Sequence, residues 1–303
     1  RVNGLALSRG YWESVIRPAL AAGFPQLLPR VAAGLVGEGS ECWGYDDELS
    51  RDHDFDPTPC LWLAASDFEI HGAPLASLLA SLPPPRTSAL LTPEGRGRRG
   101  VHETGAFYRC FLGVPRAPRT LEEWRAAPEP GLAAATNGEL FADPGGEFSR
   151  IRRELLAFYP EDLRLARLAR RLHAAGQAGQ YNRARCLLRG ESVAATLALA
   201  GFVDAALAIA FLLARRFRPF AKWSHRATRA LPPPGPLLHG LLAGLVAAPS
   251  SRAADVVEEV AALLVGELRS QGLTEARGDF LVDHARKVAG RVGDPLLRRM
   301  AGA

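Results

Sequence analysis

The chain has 303 residues, of which 48% are hydrophobic and 23% charged, with a formal net charge of +5. This is the balance of a globular protein with a substantial core. The basic residues are spread along the chain, which argues against a nucleic-acid partner but is compatible with anionic substrates such as nucleotides. No cysteine spacing indicates zinc. Reduced, mostly buried thiols are expected for all four cysteines: Cys42, Cys60, Cys110 and Cys186.

No apolar run is expected to be long enough to span a bilayer. The closest, residues 191–217, carries Asp204 near its middle and is interpreted as a buried core helix. No secretory signal opens the sequence. We therefore expect a cytoplasmic protein without a membrane partner.

In chain order, helical and strand patterns alternate at the front of the sequence. Apolar residues at helical spacing predict helix over 4–34, with a break near Pro25. "AAGLVGEGS" (32–40) predicts a short strand that runs into a glycine turn. "HDFDPTPCLWLAAS" (53–66) predicts a second strand, whose "CLWL" is apolar on both faces as in a central strand. A helix is predicted over 67–83.

The next segments are richer in loop signals. Residues 83–100 are a loop of Pro, Gly and Arg, and its charge run "RGRR" (96–99) is expected to be solvated. "VHETGAFYRCFLG" (101–113) predicts a third strand and a turn. "TLEEWRAAP" (120–128) predicts a short helix with a capping box of Thr120 and Glu123. Residues 133–156 are interpreted as a loop with helix starts.

From about residue 147 every periodic segment is helical. The predicted helices cover 147–158, 160–178, 182–188, 191–217, 219–230, 236–248, 251–271 and 275–299. The chain is therefore expected to divide into a mixed front domain, 1–146, and an all-helical domain, 147–303.

A Gly-Ser turn and a pair of aspartates carry the functional signal. If the segment with Asp52, His53 and Asp54 begins a strand, the two carboxylates face the same side and His53 faces away. Adjacent carboxylates repel unless a cation lies between them. Mg²⁺ prefers such oxygen ligands and shares them with substrate phosphates. Upstream, Gly39 offers unobstructed N–H groups and Ser40 a hydroxyl, which suit phosphate binding.

Eleven residues separate Gly39-Ser40 from Asp52-X-Asp54, which resembles the signature of the nucleotidyltransferase superfamily that includes DNA polymerase β and the aminoglycoside nucleotidyltransferases. Further stretches resemble, in this order, a bacterial family of nucleotidyltransferase-like proteins, the DUF4037 family, over most of residues 4–235. They are "GLVGEGSECWGYDDELSRDHDF", "ATNGELFADPGGEF", "YPEDLRLARLA", "GQYN" and "RRFRPFAKWSHRATRALP".

The resemblance implies an α+β fold: a polymerase-β-like nucleotidyltransferase domain with a small mixed sheet, followed by an all-α helical-bundle domain. It also implies that Gly39 and Ser40 contact the nucleoside triphosphate and that Asp52 and Asp54 bind Mg²⁺. One departure is Asp56, where family members often have Gly; this carboxylate either alters metal affinity or lies in solvent.

Two further residues enter through the resemblance. Active superfamily members have a third carboxylate on a later strand, as metal ligand or base. Glu103 is the candidate because it falls in the third predicted strand, whereas Glu69 lies in a predicted helix; a solvated strand residue is the alternative for Glu103. Lys222, beside Trp223, resembles the helical-domain lysine that reaches the triphosphate. A surface lysine on an amphipathic helix is the alternative.

Two polar segments allow two interpretations each. "GQYN" (179–182) lines an acceptor pocket, or Asn182 caps a helix. "TNGELFADP" (136–144) is either a pocket loop with Asn137, Glu139 and Asp143 or an interdomain hinge.

The expected function is Mg²⁺-dependent transfer of a nucleoside monophosphate, AMP from ATP or its equivalent from another NTP, to a hydroxyl or similar group of a small molecule, with release of pyrophosphate. Two alternatives stay open. One is nucleotidylation of a protein or a tRNA end, although no basic tract or stacking motif favours RNA. The other is a non-catalytic nucleotide- or ligand-binding protein of the same fold. The sequence leaves the oligomeric state open.

Overall fold

The computed structural model describes residues 3–51, 54–85, 92, 95, 97–248 and 250–302, with the backbone alone at 51, 250 and 251. The chain divides into two compact units, Arg1–Ala157 and Phe158–Ala303. The first is a mixed α+β unit, and the second is helical throughout its described part.

The described part of the first unit contains seven α-helices. They are α1 (Gly4–Tyr11), α2 (Arg17–Gly23), α3 (Ala65–Ser81), α4 (Thr104–Leu112), α5 (Leu121–Ala126), α6 (Glu129–Thr136) and α7 (Glu147–Leu156). The predicted helices over 67–83 and 120–128 are confirmed, and Thr120 and Glu123 form the predicted capping box. The turn predicted after the third strand is wrong. That segment is α4, and Gly113 ends it with a left-handed φ of 79°.

Four short strands form the sheet seen in the described residues. They are β1 (Ala32–Leu35), β2 (Cys60–Leu63), β3 (Gly100–Glu103) and β4 (Glu139–Ala142), in the spatial order β3-β2-β1-β4. β2 and β3 are parallel, whereas β1 is antiparallel to both β2 and β4. The predicted small mixed sheet is therefore present. The predictions of β1, β2 and β3 from the sequence are confirmed, whereas β4 was not predicted.

The central strand β2 is covered on both faces, as its apolar "CLWL" predicts. Leu61 and Leu63 belong to a buried cluster with Trp12, Ile16, Leu20 and other residues from the N-terminal helices and α3. Trp62 points the other way, because successive strand residues alternate between faces. Its ring centroid lies 4.2 Å from that of Phe148 and 5.2 Å from that of Phe107.

The register brings three loop segments together at one edge of the sheet, where β1 ends and where β2 and β3 begin. Gly34, near the end of β1, pairs with Cys60 at the start of β2, and Cys60 pairs with Gly100 at the start of β3. The turn that leaves β1 therefore lies beside the segments that enter β2 and β3. This edge carries the Gly-Ser turn.

The described part of the second unit contains eight α-helices. They are α8 (Glu161–Ala175), α9 (Arg183–Leu188), α10 (Ser192–Leu213), α11 (Ala221–Ala227), α12 (Gly235–Ala247), α13 (Ser250–Ser270), α14 (Leu281–Gly290) and α15 (Pro295–Ala301). The single helix predicted over 275–299 is wrong, because it divides into α14 and α15. Asp294 accepts a hydrogen bond from the Leu297 N–H and caps α15, and Pro295 is its first residue.

The helix α10 has 22 residues, and in length and composition it is apolar enough to cross a membrane. The expectation that no run is long enough is therefore wrong on this criterion. Of its most apolar window, 56% is buried inside the structure. Burial of this kind is the property of a core helix, as the sequence analysis expected for this segment.

Candidate functional site

The Gly-Ser turn, residues 37–43, follows β1 and depends on the glycine at position 39. Gly39 has a φ of 109°, a conformation that side chains rarely adopt. A Cβ at this position would also lie only 2.5 Å from the carboxylate oxygens of Glu41. Ser40 then starts a 3₁₀ turn, Ser40–Trp43, and is half-buried. The predicted turn is thus present, and its backbone approaches a buried carboxylate closely.

Asn137 holds the start of this turn from a distant part of the chain. Its Nδ2 donates to the carbonyl of Gly37 (2.8 Å), and its Oδ1 accepts from the Gly37 N–H (2.9 Å). Both bonds are buried. The Gly37 N–H is therefore engaged by Asn137 and is not available to a ligand.

We expect Asn137→Ala to lower the free energy of unfolding by about 2–4 kcal/mol, because it leaves a buried donor and a buried acceptor of Gly37 without their partners. Urea unfolding measures the change. Asn3→Ala is the control, since the side chain of the exposed Asn3 accepts a bond from the Ala6 N–H at the start of α1, and the removal of such a cap costs about 1 kcal/mol. Equal losses in the two variants would contradict this assignment.

Arg99 is the second support of the turn and was missed by the sequence analysis. Its Nη2 donates to the Glu38 carbonyl (2.8 Å) and pairs with Glu41 Oε1 (2.6 Å), and its Nε donates to the Asp56 carbonyl (3.0 Å). The Arg99 side chain is 5% exposed and that of Glu41 2%. The expectation that "RGRR" is solvated is thus wrong for Arg99. Its guanidinium joins the Gly-Ser turn to the segment that enters β2.

Asp54 lies in that segment, and Asp52 and His53 lie outside the described residues. The expectation that the aspartates begin a strand is wrong for Asp54. It has a φ of 54°, and β2 begins only at Cys60. Pro57 and Pro59 explain the difference, because neither has an N–H to donate to a strand ladder.

The carboxylate of Asp54 has a fixed orientation. Its Oδ1 accepts from the Thr92 N–H and its Oδ2 from the Thr92 hydroxyl, both at 2.7 Å. Gly95 packs so closely that a Cβ there would collide with this carboxylate. Asp56 is engaged separately, since its Oδ1 accepts from the Thr58 N–H (2.9 Å). The carboxylate of Asp54 therefore has a defined position.

No group of three acidic, histidine or cysteine side chains forms a preassembled metal centre in the described residues. Mg²⁺ does not require one, because it commonly takes one or two carboxylates together with substrate phosphates and water. The oxygens of the oriented Asp54 fit this donor chemistry.

Glu103 ends β3, as predicted, and caps the helix that follows. Its Oε1 accepts from the Gly105 N–H and its Oε2 from the Ala106 N–H, both at 3.0 Å. It pairs in register with Leu63, at the sheet edge opposite to Gly100. Four strand residues cover about 10 Å, so β3 separates Glu103 from the edge with the Gly-Ser turn. This separation argues against a metal site shared by Glu103 and Asp54. It is compatible with a role for Glu103 in the pocket described next. Its rival, Glu69, is exposed on α3.

A pocket of about 460 Å³ extends from Gly37 and Glu38, at the start of the Gly-Ser turn, to Glu103, and neither Gly39 nor Ser40 is among its described lining residues. Several elements of the first unit line it, through Val36, Gly37, Glu38, Phe68, Gly97, Arg98, Val101, His102, Glu103, Ala106, Phe107, Cys110 and Phe111. Its volume lies within the range of small-molecule sites. The start of the Gly-Ser turn and Glu103 thus border one cavity.

His102 lies in the pocket wall and is neutral at physiological pH. Burial, and then the charge of Arg99, lower its pKa to about 4. Its Nε2 is buried and has no hydrogen-bond partner within the described part of the chain. The wall therefore gains no positive charge from this residue.

We expect the stability of the protein to fall as the pH is lowered from about 6.5 towards 4. In that window the unfolded chain protonates His102 and the folded chain does not, so the folded state loses up to about 3 kcal/mol relative to the unfolded state. Urea unfolding at pH 7 and pH 4.5 measures the difference. The difference should shrink in His102→Gln; an unchanged pH dependence in that variant would argue against a neutral, buried imidazole.

Lys222 belongs to the second unit, where it is exposed on α11. Its Nζ lies 5.0 Å from the centroid of the Trp223 ring. This stacking of the ammonium on the indole fits both the predicted phosphate contact and the surface alternative, and the proposed role of Lys222 stays a prediction.

The two ambiguous polar segments are largely structural. In "GQYN", Gln180 donates to Glu258 and to the Asp279 carbonyl and accepts from the Leu281 N–H, which ties it to the start of α14. Asn182 is helical and makes no capping bond, so that interpretation is wrong.

In "TNGELFADP", the polar side chains are also engaged within the first unit. Asp143 accepts from the N–H groups of Gly146 and Ser149 at the start of α7, and Glu139 pairs with Arg9. The segment includes β4. Together with the bonds of Asn137 to Gly37, these contacts show a structural role for the segment.

These features define an α+β protein whose small mixed sheet carries a clamped glycine turn, an oriented aspartate and an adjoining pocket. The family model described as "Domain of unknown function (DUF4037)" matches residues 124–224. The match supports the DUF4037 family over about a third of the chain. It includes β4 and Lys222, whereas Gly39, Asp54 and Glu103 lie outside it. No curated protein and no solved structure matches the chain.

Proposed function

We propose that the protein is a nucleotidyltransferase that moves a nucleoside monophosphate, AMP from ATP, to a hydroxyl or similar group of a small molecule and releases pyrophosphate. The observation that carries the proposal is the clamped Gly-Ser turn beside the segment of Asp54. A glycine turn that follows a strand and is fixed by buried groups presents its N–H groups without reorganisation, as phosphate binding requires.

Each residue has a distinct role in this proposal. The Ser40 hydroxyl and the N–H groups of the turn bind and orient the triphosphate. Asp54, with Asp52, holds Mg²⁺, which supplies neutralisation of the phosphate charge. Glu103 borders the pocket and accepts the proton of the acceptor hydroxyl. Catalysis then rests on positioning and charge neutralisation, as is general for phosphoryl transfer.

The experiment that tests the proposal measures pyrophosphate release and nucleotide binding side by side. The purified protein is incubated with Mg²⁺, each NTP in turn, and a pool of small hydroxyl and amine compounds. Calorimetry measures nucleotide binding in parallel. We expect release with ATP, and mass spectrometry of the pool then identifies the adenylylated acceptor.

The other outcomes separate the alternatives. Binding of ATP without release, also when protein and tRNA acceptors are added, would indicate a non-catalytic nucleotide-binding protein. Release only with a protein or tRNA would change the acceptor class. Absence of NTP binding would contradict nucleotidyl transfer altogether.

A further inference from the structure

We infer that the pocket between the Gly-Ser turn and Glu103 binds a small molecule with an apolar, preferentially aromatic, body that carries one amine. Its role as the acceptor rests on the proposed function, with the amine in place of the hydroxyl as the group that receives the nucleotide, but its binding does not. All described lining residues of the pocket belong to the first unit, so the inference depends on that unit alone.

The body of the ligand is inferred from the apolar part of the wall. Three phenylalanine rings line the pocket, Phe68 from α3 and Phe107 and Phe111 from α4. Phe107 and Phe111 are in edge contact, with centroids 5.1 Å apart at an angle of 64°. Phe107 is also 6% exposed and packs on Trp62, so this part of the wall is fixed. Such a surface binds an aromatic or aliphatic body by contact and burial.

The amine is inferred from the charges of the described lining residues. Glu38 is paired with Arg98, whose Nε lies 3.2 Å from Glu38 Oε2. His102 is neutral, as shown above. Glu103 is held by two N–H groups, which orient its carboxylate without neutralising its charge. The described wall therefore carries one net negative charge, which favours a cationic group on the ligand.

The same wall argues against a sugar-like ligand. A polyhydroxylated molecule would lose water from several hydroxyl groups, whereas the described wall offers few polar side chains in exchange. Unpaired hydroxyls buried against phenylalanine rings weaken binding strongly. The preference is therefore for one polar group on an apolar body.

Cys110 provides a reporter inside the pocket that does not depend on catalysis. It is exposed and lines the cavity. Cys186 is partly exposed on α9 and serves as the internal reference. Burial raises the pKa of Cys42 to about 12 and that of Cys60 to about 11, so neither thiol reacts in the native protein at neutral pH. A thiol reagent thus reports separately on the pocket and on the second unit.

The experiment measures the rates at which N-ethylmaleimide modifies Cys110 and Cys186 in the full chain, by mass spectrometry of the peptides. The probes are 2-phenylethylamine, 2-phenylethanol, glucosamine, and ATP with Mg²⁺, each added alone. Fragments of this size bind with dissociation constants on the order of 1 mM. We expect 2-phenylethylamine at saturation to slow modification of Cys110 at least about fivefold and to leave Cys186 unchanged.

Glu103→Gln tests the charge, with ligand-observed NMR as a second measurement of affinity. The glutamine keeps an acceptor for the N-terminus of α4. We expect the affinity for 2-phenylethylamine to fall about three- to fivefold and that for 2-phenylethanol to stay the same. Glu122→Gln is the matched control, because the exposed Glu122 on α5 has the same charge and does not line the pocket.

The outcomes separate this inference from the proposed function. Equal protection by glucosamine and 2-phenylethylamine, protection by neither together with no NMR binding, or equal loss of amine and alcohol affinity in Glu103→Gln would overturn it. Protection of Cys110 by ATP with Mg²⁺ but not by 2-phenylethylamine would also overturn it, because the pocket would then bind the nucleoside. Binding of ATP without binding of the amine would overturn this inference but not the proposed function. Binding of the amine without binding of ATP would contradict the proposed function and support this inference.

Discussion

Arg99→Met is expected to lower the free energy of unfolding by about 3–5 kcal/mol. The substitution keeps an unbranched side chain of similar length but leaves the carboxylate of Glu41 buried without its cation. It also removes the donors to the carbonyls of Glu38 and Asp56. Breaking one side of a buried ion pair costs far more than the pair contributes in net terms, because the remaining charge stays out of water. Urea unfolding followed by circular dichroism measures the change.

Two further variants make this expectation specific. Arg150→Met removes the arginine of an exposed pair with Glu154 on α7, and should cost less than about 1 kcal/mol. Glu41→Gln combined with Arg99→Met removes both charges and should recover part of the loss. The recovery is incomplete, since two carbonyls still lack their donor. A loss in Arg99→Met no larger than that in Arg150→Met would show that the guanidinium is not a buried support.

Asp54→Asn is expected to reduce the rate of pyrophosphate release by about 100-fold or more while the protein stays folded. Losing a carboxylate that holds Mg²⁺ removes several kcal/mol of charge stabilisation, and each 1.4 kcal/mol corresponds to a factor of ten. The fold should tolerate the change, because asparagine adopts the left-handed φ of 54° as readily as aspartate does. Its Oδ1 can still accept from the Thr92 N–H.

The matched control is Asp56→Asn, two residues further along. It removes the same charge from the same segment, and the amide oxygen keeps the bond to the Thr58 N–H. We expect its rate to equal that of the unchanged protein. If both variants lose activity equally, the charge of the segment matters rather than the position of Asp54. Full activity in Asp54→Asn would remove Asp54 from the metal site.

The parts of the fold that a local pattern determines were predictable. β2 is an apolar run covered on both faces, and α5 carries a complete capping box, so the sequence alone indicates both. β4 was not predicted because its apolar run, Leu140 to Ala142, is only three residues long, and because it pairs with β1, which is about a hundred residues earlier in the chain. The helix α4 escaped because Gly105 and Gly113 resemble turn signals, whereas its cap, Glu103, is of an unusual type for that position.

For the candidate site, the Gly-Ser turn was predicted, but its supports were not. Gly39 and Ser40 indicate a turn by their residue types and by their position after a predicted strand. Arg99 stands in a run of arginines that resembles a solvated loop, and only the tertiary fold shows that it is buried. Asn137 was recognised as polar, but its pairing with Gly37 is a contact between distant residues. Pro57 and Pro59 were the local signal that could have corrected the strand expected at Asp54.

The Gly-Ser turn is not expected to keep its geometry when its continuous segment alone is transferred to another protein. Its geometry depends on Arg99, 58 positions beyond Glu41, and on Asn137, 100 positions beyond Gly37. A chimera that exchanges residues 30–60 with another sequence therefore acquires the new turn without the partners that shape it. Directed evolution of the turn faces the same constraint, since a library limited to residues 37–42 leaves the other two partners unchanged. Crossovers that move the three stretches together should yield folded chains more often than crossovers that divide them.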